Sequence, residues 1–375
     1  MKSLYWYWLS NIEGIGLSSI HKMLELCYDP EEIFRCNSQC FEGIIYKKQL
    51  EILDSEKQSI ELRKSEYNDL IQKGVAFIPY GSKEYPQNLM EIHEAPIALY
   101  RKGKEIPLNQ KKVTIIGARD CTIHGMMLAE YFANQLAKSG VCIVSGLAKG
   151  IDGNAHKGAL KANKINLQNT GGNVGILGCG INIRYPLDNY YLFEEMEQYG
   201  TILSEYNWNV KPKRHQFPMR NRIMSGMSDG ILVVEAKERS GSLITVDYGL
   251  EQGKDIFAIP GRITDKLSIG CNRLIQQGAN PVICPDDLLR FFGINKEKQA
   301  PDSRERKKEN KILLETDEKV VYSCLGFEPK YIDSIIEETH LSVQKVLSVL
   351  FQLESKGSVK QVINNYYIKT EIELG

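Results

Sequence analysis

The 375-residue sequence has no excess charge of either sign, no Cys-x-x-Cys pair and no long apolar run. Its 47 Lys and Arg residues balance 47 Asp and Glu residues, which excludes an overall basic coat for nucleic acid and an acidic solubilising tail. The nine cysteines contain no Cys-x-x-Cys pair, so a disulfide framework or a zinc site is disfavoured. The apolar stretch 4–9 is far too short to span a membrane. We therefore expect a soluble cytoplasmic protein with no membrane span, metal ion or cofactor.

Two phosphate-binding signatures are also missing. No Gly-x-x-x-x-Gly-Lys-Ser/Thr sequence occurs, and no complete Gly-x-Gly-x-x-Gly follows the first β-branched run of the central region. These absences disfavour P-loop nucleotide hydrolases and dinucleotide-dependent oxidoreductases.

Apolar spacing indicates three folded parts. Residues 1–67 carry apolar side chains at helical spacing and are predicted to form a helical domain, which the polar, turn-rich stretch 68–112 connects to the central region. In residues 111–293, short β-branched runs alternate with helical periods. This alternation predicts an α/β domain, a Rossmann-like doubly wound parallel sheet with helices on both faces. The predicted strands cover residues 113–116, 141–144, 174–177, 201–203, 231–234, 256–259 and 282–283.

The C-terminal part is expected to be a separate domain. The charged stretch 294–315 is predicted to be a linker, and residues 316–375 contain three helical periods and a two-stranded ribbon, the outline of a winged helix. Residues 316–375 hold six basic and nine acidic residues, a net charge of 6 − 9 = −3. Because an acidic surface repels phosphate, we expect a protein-interaction or accessory role for this domain.

The residues that follow the predicted strands form the candidate site, because ligands of open parallel sheets bind outside the carboxyl ends of the strands. Glycine-containing turns occur at three of these ends, and two of them include a basic residue. Backbone N–H groups and fixed cations there predict a rim that binds phosphate, although such glycines can also serve tight turning alone. The candidate rim residues are Gly117, Arg119, Ser145, Gly146, Lys149, Gly150, Ser240, Gly241 and Ser242.

The sequence contains a local basic segment, although the net charge of the whole chain is zero. Residues 207–228 contain no acidic residue, and their cations are interleaved with Trp208, His215 and Phe217. Cations that follow phosphates and rings that stack on bases are typical of single-stranded nucleic-acid binding. The cations of this segment are Lys211, Lys213, Arg214, Arg220 and Arg222. The alternative interpretation of the segment is a solvated basic loop that leads into a helix.

A series of ordered motifs runs from Val113 to Asn280. It comprises Gly117-Ala-Arg119, the segment Ser145 through His156, Tyr185-Pro186, Ser204 through Tyr206, Phe217 through Ile223, Glu235-Ala236, Ser240 through Thr245 and Pro260-Gly261. Together they closely resemble the DNA-processing protein A family, also called DprA or Smf. The resemblance implies a protein that binds and protects single-stranded DNA, dimerises and loads the RecA recombinase in natural transformation, with single-strand binding protein as a further partner.

The resemblance also implies roles for individual residues. Arg119 and the turn 145–150, including Lys149, would hold phosphates, while Arg214 and Phe217 would supply a cation and a stacking surface. Arg220, Asn221 and Arg222 would brace the pocket or contact DNA. Two departures stand out: Ala118 replaces the serine of the family's Gly-Ser-Arg turn, and the stretch 163–172 is longer and more polar than usual.

An enzyme is the alternative hypothesis. Asp152 and His156 are spaced to share a helical face, Glu205 and Glu235 lie at strand ends, and the serines of the rim are possible nucleophiles. A hydrolase or binder of a small nucleotide would use the same rim. The Pro-Gly-Gly-x-Gly-Thr signature of the nucleotide phosphoribohydrolases is absent, so we predict a non-catalytic protein. In the helical domain, residues 11–16 resemble a helix-hairpin-helix turn, with a purely structural bundle as the alternative.

Overall fold

The computed structural model describes residues 2–165, 170–294, 316–326 and 328–369. The N-terminal helices pack around a core that includes Trp8, Met23, Phe41 and Leu53. Asp29 caps the third helix by accepting a hydrogen bond from the N–H of Glu31. These helices are α1 (Lys2–Ser10), α2 (Leu17–Cys27), α3 (Pro30–Arg35), α4 (Lys47–Lys57) and α5 (Ile60–Gln72).

The central region forms a nine-stranded sheet in the order β1-β2-β6-β5-β4-β3-β7-β8-β9. Seven of these strands, β3 to β9, are parallel to one another. The doubly wound α/β fold predicted from the sequence is thereby confirmed. The strands are β1 (Ala76–Pro79), β2 (Ala98–Gly103), β3 (Lys112–Ile116), β4 (Cys142–Ser145), β5 (Asn173–Leu177), β6 (Thr201–Ser204), β7 (Gly230–Val233), β8 (Asp255–Ala258) and β9 (Asn280–Pro281).

Helices cover both faces of the sheet because neighbouring residues of a strand point to opposite sides. Ile115 packs in the cluster that contains Phe132 of α7, whereas Ile116 packs in the cluster that contains Ile223 of α10. Both side chains are fully buried, as expected for a sheet covered on both faces. The helices are α6 (Gln87–Met90), α7 (Ile123–Lys138), α8 (Ile151–Ile165), α9 (Tyr190–Tyr199), α10 (Gln216–Met227), α11 (Leu243–Glu251), α12 (Ile269–Gln276) and α13 (Pro285–Phe291).

The sheet departs from the sequence-based expectation at both edges. The stretch 68–112, expected to be a connection, contributes β1 and β2, which pair antiparallel with each other and with β6. Local sequence does not reveal this pairing, since β2 meets a strand about 100 residues away. At the other edge, pairing with β8 involves Asn280 and Pro281 rather than the predicted residues 282–283. Only the N–H of Val282 continues it, by donating to the Ala258 carbonyl at 3.0 Å.

The C-terminal described residues form a winged helix with its own core, which includes Val321, Ile335, Leu350 and Val359. The predicted ribbon turns at Asn365, which adopts a φ of 63°. Its elements are α14 (Thr316–Cys324), β10 (Lys330–Tyr331), α15 (Ile332–Thr339), α16 (Val343–Ser355), β11 (Val359–Ile363) and β12 (Tyr366–Lys369). The predicted linker, apart from residue 294, and the centre of the polar stretch 163–172 lie outside the described residues. Within the described parts of the chain, every helix is too short or too polar to cross a lipid bilayer.

Candidate nucleic-acid interface

A cleft opens at the point where the strand order of the sheet reverses. The chain runs outward from β3 through β4 and β5 to β6, then returns to place β7 on the other side of β3. The turns after β3 and β7 consequently diverge, and they leave a crevice outside the carboxyl ends of the strands. This switch-point cleft has a volume of about 600 Å³. Nine predicted site residues line it: Gly117, Arg119, Arg214, Phe217, Arg220, Asn221, Ser240, Gly241 and Ser242.

Positive charge is in excess on the rim of the switch-point cleft, where the one exposed carboxylate among the described lining residues is that of Asp120. Arg119, Arg214, Lys237 and Arg239 line the cleft and are exposed. Among the described residues, none of these four has a carboxylate within ion-pairing distance. Unpaired cations around a concave surface raise the local concentration of anions. The cleft is therefore suited to a phosphate-bearing ligand.

Aromatic rings stand beside these cations. The rings of Phe217 and Tyr185 lie with centroids 5.6 Å apart, and the Arg119 guanidinium carbon lies 5.8 Å from the centroid of Phe217. Phe217 is half-buried and Tyr185 is 44% exposed, so both rings remain open to a ligand. Flat apolar faces next to cations can accept bases while the cations contact phosphates.

The floor of the switch-point cleft is a buried arginine. Arg220 is 4% exposed, and its Nη1 donates to the Ile176 carbonyl at 3.0 Å. Asp152 lies close enough to interact electrostatically with this guanidinium, and it accepts the Gly146 N–H at 3.2 Å. Burial raises the pKa of Asp152, and the nearby Arg220 opposes that rise. The position of the Arg220 charge is thus fixed by its contacts with the Ile176 carbonyl and Asp152 beneath the cleft.

The other predicted residues of the 145–150 turn support the cleft without lining it. Ser145 is fully buried, and its hydroxyl donates to the Ile115 carbonyl at 2.7 Å. A side chain at Gly146 would overlap the Arg220 guanidinium. Gly150 has a φ of 75° and lies against the carbonyl oxygens of the turn after β3. Lys149 is exposed at the edge, where it pairs with Asp188 at 2.9 Å.

Three predicted cations lie elsewhere. Lys211 and Lys213 line a second cleft of about 590 Å³ between the helical domain and the segment after β6, which we call the interdomain cleft. Arg222 is 2% exposed and makes an ion pair with Glu205. It lines a third depression with Tyr248 and residues of α6 and the loop after it, away from the switch-point cleft. Helical geometry explains why Arg222 lies away from the switch-point cleft. Arg222 is five residues beyond Phe217 on α10 and therefore points to another side of the helix.

The groups considered for catalysis are engaged in structural bonds. Nδ1 of His156 lies 2.6 Å from Oδ1 of Asn173, and burial lowers the pKa of His156 to about 4. Glu235 accepts the N–H of Thr122 at 2.8 Å at the start of α7. The hydroxyls of Ser240 and Ser242 are hydrogen-bonded to each other at 2.8 Å. These contacts hold turns and helix ends in place.

Sequence reasoning missed Lys237, Arg239 and Tyr185 as lining residues. The signal for the first two was present, because they stand between Glu235 and Ser240 in a turn already identified at a strand end. Tyr185 follows β5 at a distance, and only the fold brings its ring to Phe217.

Comparisons with known proteins agree with the fold and with the motifs of the chain. The family model described as DNA recombination-mediator protein A matches residues 76–293, and the model of the DprA winged helix domain matches residues 301–363. DNA processing protein DprA of Bacillus subtilis is 39% identical over 219 residues, which cover 58% of this chain and 71% of that protein. Protein Smf of Escherichia coli is 35% identical over 328 residues, with 86% and 84% covered.

Two solved structures are similar as well. The X-ray structure of DprA from Streptococcus pneumoniae superposes with a TM-score of 0.68 at 33% identity, covering 76% of this chain and 97% of that one. DprA from Helicobacter pylori, whose structure was described for its single-stranded DNA binding mode, gives a TM-score of 0.52 at 28% identity and covers 58% and 95%. The motifs, the fold and the matched domains agree, and the chain belongs to the DprA/Smf family of DNA-processing proteins, whose role lies in DNA recombination.

Proposed function

We propose that this protein binds single-stranded DNA in the switch-point cleft. The observation that carries the proposal is the set of four cations, Arg119, Arg214, Lys237 and Arg239, which have no ion-pair partner among the described residues and stand around the open rings of Phe217 and Tyr185. In the proposed complex the cations contact successive phosphates and a base stacks on a ring. The single-stranded DNA binding described for the Helicobacter pylori relative supports the same ligand.

We further propose that the protein is non-catalytic and acts by delivery. It would protect incoming single strands and load the RecA recombinase on them during natural transformation or recombination in the cytoplasm, with single-strand binding protein as a further partner. A homodimer would let two clefts hold one strand with added avidity. The structural bonds of His156, Glu235, Ser240 and Ser242 support binding without chemistry, because none of these groups is arranged as a nucleophile with its base.

The test is fluorescence anisotropy of a labelled poly-dT oligonucleotide, titrated with protein at two salt concentrations and competed with duplex DNA. We expect salt-sensitive binding that duplex competes poorly, with log K falling by about 0.7 per phosphate contact for each tenfold rise in salt. Arg119→Ala should weaken binding by about tenfold or more, the scale of a lost charged hydrogen bond. Arg35→Ala, an exposed arginine of α3 outside the cleft, is the matched control.

Two results would contradict the proposal: no binding at low salt, or unchanged affinity in a folded Arg119→Ala protein. The alternative proposal is then that the switch-point cleft binds a small nucleotide. The cleft volume of about 600 Å³ is sufficient for a ligand of that size. Thermal shift and turnover assays with nucleotides would identify it.

A further inference from the structure

The interdomain cleft lies next to the proposed DNA site and is not explained by it. One wall is formed by α1 and α5 of the helical domain, and the other by residues 207–213 after β6. Asn207 holds the two walls together, because its side-chain amide donates to the Tyr7 hydroxyl at 3.0 Å and to Oδ1 of Asn11 at 2.7 Å. The cleft is therefore a built feature of the domain junction.

The wall after β6 has the chemistry of a strand-binding surface. Trp208 is half-buried, and the ammonium groups of Lys73 and Lys102 lie 5.1 and 4.9 Å from its ring centroid. Lys211 and Lys213 are exposed, and neither makes an ion pair with any residue that the structure describes. An indole ring with cations around it offers a base a stacking surface and offers its phosphates counter-charges.

The opposite wall carries carboxylates. Glu13, Glu66 and Asp69 line it, and Glu66 is held by Arg63 at 3.0 Å. A single strand can place its phosphates on the lysine wall and turn its bases to the carboxylates, which accept hydrogen bonds from exocyclic amino groups. A duplex would bring its second phosphate backbone against these carboxylates, which repel it. The charge distribution therefore favours one strand.

The two clefts are continuous along the chain. Lys213 lines the interdomain cleft, and its neighbour Arg214 lines the switch-point cleft. We propose that a strand bound in the switch-point cleft continues across this pair into the interdomain cleft, where Trp208 receives a base and the helical domain becomes part of the DNA site. This inference rests on the proposed function and adds a second subsite to it.

Length-dependent binding tests the subsite. The full chain is titrated into labelled oligonucleotides of about 5 nucleotides, which fill one cleft, and about 15 nucleotides, which reach both. Trp208→Ala and Lys211→Glu should weaken binding of the long oligonucleotide by about tenfold, the order of one lost stacked base, and leave the short one unchanged. Trp208→Phe, which keeps a ring, should stay within about threefold of the native protein.

Controls separate this inference from the proposed function. Arg119→Ala should weaken both oligonucleotides, and Lys48→Glu, an exposed lysine of α4 that lines neither cleft, should weaken neither. Circular dichroism checks folding, and because Lys211 is exposed, the reversal of its charge tests the subsite even if Trp208→Ala unfolds the chain. Native affinity of both subsite variants for the long oligonucleotide, together with a loss in Arg119→Ala, overturns the subsite and leaves the proposed function intact.

Discussion

At the scale of single residues, the proposed DNA site depends on small side chains below it as much as on charged ones around it. Gly146 leaves the space that the Arg220 guanidinium occupies, and the Gly146 N–H is accepted by Asp152. A methyl group there would force Arg220 from its bond with the Ile176 carbonyl. The absence of a side chain at Gly146 thus determines where the Arg220 guanidinium lies.

Gly146→Ala should therefore reduce affinity for poly-dT about as much as Arg220→Ala, by about tenfold, because both remove the same positioned charge. Gly241→Ala in the same cleft is the matched control, since a Cβ there meets nothing within 4 Å. Anisotropy titrations of the three variants make the comparison. Equal losses at Gly146 and Gly241 would show that the glycines act only through backbone freedom.

His156 allows a second residue-scale prediction, about stability. Burial lowers the pKa of His156 to about 4, against about 6.5 for an unfolded histidine. Between pH 6.5 and about 4 the unfolded chain therefore binds more protons at this residue than the folded chain does. The contribution of the neutral His156 ring to the free energy of unfolding is complete above pH 6.5 and is lost as pH falls to about 4. The loss amounts to about 3 kcal/mol.

Urea unfolding of the native protein and of His156→Gln at several pH values measures this contribution. As pH falls through this range, the free energy of unfolding of the native protein should decrease relative to that of His156→Gln. Other titrating groups are common to both proteins and cancel in the difference. A pH-independent difference would show that His156 titrates as in the unfolded chain.

At the scale of elements, α10 explains why two neighbouring arginines have different environments. Phe217, Arg220 and Asn221 are three and four residues apart and share the face that lines the switch-point cleft. Arg222 lies on another side, where it pairs with Glu205 under nearly complete burial. The basic segment identified in the sequence is therefore divided by helical geometry into a part that lines the switch-point cleft and a part that is buried against Glu205.

Arg222→Ala should accordingly lower the free energy of unfolding by about 3–5 kcal/mol, because it leaves the buried Glu205 carboxylate without its partner. Arg222→Ala combined with Glu205→Gln should recover part of this loss. Denaturant unfolding measures both variants. Any fully folded fraction should bind poly-dT with native affinity, and a specific loss of binding without a loss of stability would return Arg222 to the DNA site.

At the scale of the whole molecule, the winged helix has a core separate from those of the sheet domain. The clusters on the two faces of the sheet consist of residues before 295, and the winged helix packs around its own cluster. An exposed ion pair, Arg262 with Glu328, connects the winged helix to the sheet domain. Such a contact is worth little in water. The proposed DNA site is therefore expected to be independent of the C-terminal domain.

A protein ending at residue 294 should bind poly-dT within about twofold of the full chain, since the switch-point and interdomain clefts are lined by residues before that point. Anisotropy under the same salt conditions compares the two. A large loss would assign DNA contacts to the winged helix despite its acidic composition.

Much of this molecule was determined by its sequence alone. Hydrophobic periods of 2 and 3.6 residues depend on local geometry, so the α/β fold, the winged helix and most strands were predictable. The rule for parallel sheets predicted a ligand cleft outside the strand ends, and the turns at Gly117 and Gly241 line the switch-point cleft there.

Only the tertiary structure decided which residues meet. Side-chain direction depends on packing against distant segments, so Arg222 pointed inward to Glu205, Ser145 bonded to β3, and Tyr185 joined Phe217. The pairing of β2 with β6 and the joining of Asn207 to α1 link residues about 100 and 200 positions apart. No local pattern encodes such contacts, because they are selected by the burial and hydrogen bonding of the whole chain at once.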